Sequence, residues 1–204
     1  MRAIDRPLLA LVGTIEAPRG YGSVTGFANE YTGHPVTQMT IAEVMEWQRK
    51  IRSKGVKSTA VGRFQFTLAT LDDVTDRFDV SRDRPLNRRT QDYLARLLLY
   101  MCDFYAPDAT TEDVGNCLAG RWAALPMLSG PKKGTSRYKG VAKNRARTSV
   151  TVFRAVLAAR FLPDSVRVTG ATVKSAGREM EKMTSSPDAA SPVSVSQSSY
   201  GLLD

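Results

Sequence analysis

The stretch LVGTIEAPRGYGSV, residues 11–24, puts Glu16 between an apolar run and a turn built from Gly and Pro. A carboxyl at such a junction sits half-buried with a groove open in front of it, and apolar neighbours raise its pKa so that it holds a proton. Cleavage of a glycosidic bond uses a general acid of this kind. Composition removes several other chemistries. His34 is the only histidine, which excludes a His-rich metal site and any triad or dyad that needs a second one, so neither a metal nor a cofactor is expected. Between Glu16 and the segment at residues 58–66 the other carboxylates are Glu30, Glu43 and Glu46. Thr40 and Glu43 have the spacing of a capping box, so Glu43 and Glu46 belong to a helix, and Glu30 is the one spare candidate acid.

The elements that must hold Glu16 read as helices, with few strand signals. Apolar residues Leu8, Leu9, Leu11, Val12 and Ile15 recur at helical spacing over Ile4 to Ile15, and Glu16 ends that helix. Residues 18–36 carry four Gly and two Pro, an irregular excursion with room for a short hairpin around Ser23 to Phe27. Further helices are expected from the Thr40 cap to about Lys54, from about Thr67 to Phe78, and after the Asn87 cap through RRTQDYLARLLLYMCDFY. Two more follow: one after Thr110 that takes in Val114, Leu118 and Trp122, and one over roughly Lys143 to Phe161. Trp47 and Trp122 read as core residues. The fold class is mainly α.

Charge and composition divide the chain. At 204 residues with 42% hydrophobic content it can build one domain with a substantial core, placed here at residues 1–162. Residues 163–204 are rich in Ser, Val and Pro and cannot bury enough surface to fold alone, so they are expected to be disordered or held by a partner. Their four basic and five acidic residues nearly cancel, leaving the net charge of +9 on the body. Its densest part, PKKGTSRYKGVAKNRART, suits a polyanion: nucleic acid or the anionic polymers of a bacterial envelope. The start lacks the pattern of an export signal, and no stretch approaches the roughly 18 apolar residues of a membrane span. Cys102 and Cys117 fall in helical segments and are expected as reduced, half-buried thiols.

Three segments in order resemble a family. Glu16 ends a helix and a Gly- and Tyr-bearing excursion follows, including T-G-H-P at 32–35. Next come STAVGRFQF at 58–66, a Q-D helix start at Gln91 and Asp92, and NCLAGRWAALPMLSG at 116–130. The set is similar to the phage muralytic enzymes of the bacteriophage lambda endolysin type, over roughly residues 8–161. The resemblance implies an α+β lysozyme-like domain, helical with a small irregular or hairpin excursion beside the groove. It also implies cleavage of the MurNAc to GlcNAc β-1,4 bond of peptidoglycan, with Glu16 as acid and base. Lysozymes of other families carry a second carboxylate where this chain has Thr25. Its absence, with the resemblance, points to lytic transglycosylation, in which the sugar's own C6 hydroxyl closes a 1,6-anhydro ring.

Groove residues expected from these segments are Tyr21, Thr25, Phe64, Gln65 and Tyr138, with Phe66 as an alternative to Phe64. Lys132, Lys133, Arg137 and Lys139 are expected to hold the enzyme on the wall. The expected partners are peptidoglycan and, through the tail, other virion proteins. Such an enzyme is made in the host cytoplasm and acts on the periplasmic or cell-wall polymer, as an endolysin or a virion-borne lysin. The competing expectations are a basic helical nucleic-acid-binding or virion structural protein, and an inactive lysozyme-like scaffold.

Overall fold

A computed structural model of the chain describes residues 3–25, 34–141 and 144–161. These lie in the first of two units, Met1–Ser165; the second is Val166–Asp204. Glu30, the expected tail and the boundary at residue 162 fall outside the described residues.

The described chain is mainly helical. A 3-10 turn at Ala3–Asp5 leads into α1 (Arg6–Glu16), followed by α2 (Ile41–Ser53), α3 (Leu68–Arg77), α4 (Arg88–Tyr100), α5 (Thr111–Arg121), α6 (Val150–Ala158) and a closing 3-10 turn at Ala159–Phe161. Five of the six helix starts have a side-chain cap. Thr40 and Glu43 form the reciprocal box, and Thr67, Asn87, Thr110 and Ser149 each accept the amide three residues on. A cap of this kind stabilises by about 1 kcal/mol. None of the described helices is long and apolar enough to cross a membrane.

Each helix buries one face. The stripe of α1 (Leu8, Leu9, Leu11, Val12 and Ile15) is buried and packs on α6, which in turn lies against α5. Helix α4 joins the two halves by touching both α3 and α5. Asp5, just before α1, is fully buried, and Arg96 of α4 donates to it from Nε at 2.9 Å. That pair sets the start of α1 against the middle of α4. Trp47 and Trp122 are both buried.

Two expectations are corrected. Cys102 and Cys117 form a disulfide, because the chain turn after α4 and the middle of α5 bring their Cα atoms to 5.5 Å, inside the range a disulfide spans. The last helix starts at Val150, later than expected. Ser149 caps it, and Arg147 before it is drawn out of helical pairing when its amide donates to the Ala124 carbonyl at 2.8 Å. Within 23–25 the excursion pairs elsewhere: Val24 bridges Val61, and Val61 also bridges Phe66. Residues 26 and 27 of the expected hairpin lie outside the described residues.

Candidate active site

Glu16 is the last residue of α1 and is half-buried. The amide of Ala124, in the W-A-A-L-P segment after α5, donates to its Oε1 at 2.9 Å. No partner for Oε2 is found among the described residues, so this oxygen is the one that can carry a transferable proton. Burial pushes the carboxyl above its ordinary value of 4.5; the Ala124 hydrogen bond and the nearby positive charge of Arg147 offset this only in part. A position at the carbonyl end of a helix disfavours negative charge in the same sense as burial.

Arg147 was not singled out by sequence reasoning, yet it closes the site from behind. Its Nη1 donates to the Ile15 carbonyl at 3.1 Å, one of the carbonyls left open at the end of α1, while its amide holds the Ala124 carbonyl. The residue therefore ties together the strand-like stretch before α6, the Ala124 segment and the helix end that bears Glu16. Its only sequence signal was membership of a basic run.

The G-R-F-Q-F segment, expected to face Glu16 across the groove, is fixed by contacts of its own. Gly62 has φ of 75°, and a Cβ there would come within 2.4 Å of Gln91 Oε1, so both backbone conformation and space require glycine. Phe64 is 1% exposed, and its carbonyl accepts the Trp122 indole N–H at 3.0 Å. Its ring meets Tyr21 and Phe66 edge-on, and both Phe64 and Phe66 are core residues. Gln65 adopts a left-handed φ of 49°, unusual for a residue with a side chain. Its Nε2 donates to Gly62 O at 2.9 Å, and its Oε1 accepts the Thr25 hydroxyl. Thr25 and Gln65, expected in the groove on separate grounds, are thus direct partners.

The remaining expected residues are spread more widely. The Tyr21 hydroxyl donates to buried Asp92 at 2.8 Å, and the guanidinium groups of Arg63 and Arg88 each lie 5.5 Å from its ring centroid. Burial and the hydrogen bond to Asp92 raise its pKa. The Q-D pair of α4 joins this region: Gln91 accepts the Arg63 amide at 2.9 Å and donates to the carbonyls of Tyr21 and Leu86. Tyr138 is exposed, with its hydroxyl 2.5 Å from the Gly120 carbonyl near the end of α5. Lys132, Lys133, Arg137 and Lys139 are exposed on a turn stitched to the Pro126–Met127 segment by two bridges. Glu43 is confined to its capping box and Glu46 is exposed. No group of three or more His, Cys, Asp or Glu side chains placed to hold a metal occurs among the described residues.

Compared with family models, curated proteins and solved structures, the chain matches none.

Proposed function

We propose that the protein is a peptidoglycan-cleaving glycosidase of the lysozyme-like class, with Glu16 as its single acid and base. The observation that carries this reading is the state of Glu16. Its carboxyl is held at Oε1 by a backbone amide 108 residues away, while desolvation favours the protonated form. Fixed on one oxygen, the group can donate a proton from Oε2 to a glycosidic oxygen. As the C1–O bond breaks, the carboxylate left behind is stabilised by the Ala124 amide and by Arg147.

A carboxylate in that position then takes the proton of the sugar's C6 hydroxyl, whose oxygen bonds to C1 and closes the 1,6-anhydro ring. The acid is regenerated, and the nucleophile arrives with the substrate. Thr25 and Gln65 offer hydroxyl and amide groups for hydrogen bonds to the sugars, and the left-handed backbone at Gln65 is the kind of strain that clusters at ligand-binding positions. The disulfide supports action outside the cytoplasm, since such bonds persist in oxidising compartments.

Mass spectrometry of muropeptides released from purified sacculi tests the reading. We expect 1,6-anhydro-MurNAc ends with the wild-type chain and no release with Glu16→Gln. Reducing MurNAc ends would make water the nucleophile, and release by the Gln variant at the wild-type rate would remove Glu16 from the chemistry.

A further inference from the structure

A second cleft lies upstream of Glu16 on α1. It encloses about 360 Å³ and is lined by Arg6, Arg63, Arg88 and Arg96 over a floor of Leu9, Ala10 and Phe64, with Tyr21 and Asp92 on its wall. Arg88 and Arg96 also line an adjoining cleft with Arg89. Ala10 and Arg6 precede Glu16 by six and ten residues, so at about 1.5 Å per helical residue the cleft lies roughly 9–15 Å back along the helix. Its volume falls within the usual range of about 300–1,000 Å³ for small-ligand sites.

The charges in this cleft are not balanced. Asp5 takes Arg96 Nε, and Asp92 accepts the Tyr21 hydroxyl. For the guanidinium groups of Arg6, Arg63 and Arg88 no carboxylate partner or hydrogen-bond acceptor is found among the described residues. Arg96 Nη2 is buried and has no acceptor either. Arg63 and Arg88 each make a cation–π contact with Tyr21. Arg63 also lies across α1 where Gly13 provides the space, since a Cβ there would come within 2.2 Å of Arg63 Nε.

The geometry points to a binding site for a multivalent oxyanion, a carboxylate or phosphate group, clasped by Arg6, Arg63, Arg88 and Arg96. Guanidinium forks match the planar spacing of carboxylate and phosphate oxygens, and several forks converging on one small cleft favour a compact anion of more than one charge. The apolar floor leaves room for the carbon skeleton that carries it. This site is separate from the chemistry at Glu16, and its test does not require catalysis.

Calorimetric titration of the full chain at low salt with inorganic pyrophosphate and, separately, with citrate tests the assignment and distinguishes the two sources of negative charge. We expect saturable binding of at least one probe and weakening by about tenfold or more in Arg6→Gln/Arg88→Gln. Arg49→Gln/Lys50→Gln, on the exposed side of α2, serves as the control and should bind like wild type. Both pairs change exposed residues, and thermal melts verify that each variant is folded. The better-bound probe names the source as phosphate or carboxylate. Absence of binding by either probe, or equal loss in the two double variants, overturns the site.

Discussion

The amide of Ala124 meets Oε1 of Glu16 at 2.9 Å across 108 residues of sequence, and Arg147 locks that contact by engaging both the Ala124 carbonyl and the Ile15 carbonyl. One backbone amide and one guanidinium thus offset part of the effect of burial on the Glu16 carboxyl. Burial still dominates, so the group stays raised.

Arg147 lowers the Glu16 pKa, so its removal should raise it. In Arg147→Gln, Glu16 stays protonated to higher pH, and the alkaline limb of the kcat/KM profile should move up while the peak rate falls. An unchanged limb would show that Arg147 serves only to brace the backbone. The same shift links to stability. With its folded pKa above the ordinary 4.5, Glu16 favours the fold below that pH, and this contribution is lost as pH rises through the folded value. Melting curves of Glu16→Gln and wild type should therefore diverge from about pH 4 towards pH 7 in favour of the Gln variant.

Gly13 and Arg63 share one volume. Gly13→Ala alone gains about 1 kcal/mol of helix propensity but must displace Arg63, at an overpacking cost of about 1–3 kcal/mol. Gly13→Ala/Arg63→Ala removes the clash. Denaturant titration of the four proteins should give a coupling of about 1 kcal/mol or more in favour of the double variant. Strict additivity would mean that Arg63 swings clear at no cost.

The Cys102–Cys117 disulfide closes a loop of 15 residues. Constraint of the unfolded chain by a loop of that size contributes about 3 kcal/mol. Cys102→Ala/Cys117→Ala should therefore lower the melting temperature by about 6–12 °C. Alkylation of the denatured, unreduced wild type should label neither sulfur, and labelling of both would contradict the bond.

Lys132, Lys133 and Arg137 stand exposed on the turn bridged to Pro126–Met127. Changing all three to Ser should weaken sacculus binding by about tenfold at low salt. Near 1 M salt, where the screening length is about 3 Å, the difference should close. Cleavage of short uncharged oligosaccharides should stay as in wild type; loss of that activity as well would place the turn in the groove.

Local signals settled most of the helical framework. The caps at Thr40, Asn87 and Thr110 and the apolar stripe of α1 were legible because capping and amphipathic spacing act within a few residues. Glu16 at the end of α1 was legible for the same reason. The late start of α6 and the Cys102–Cys117 bond were not, since each depends on a contact between segments distant in the chain. The same holds for the partners of Glu16 and for the arginine cleft. Neither Arg147 nor Arg63 differs in sequence from any other arginine, and only packing gives one the end of α1 and the other the space over Gly13. By itself the sequence determined the helical framework apart from the start of α6, and where a carboxylate ends a helix. Tertiary structure decided which charges meet it, because electrostatic environment is set by distance and burial in space and not by neighbours along the chain.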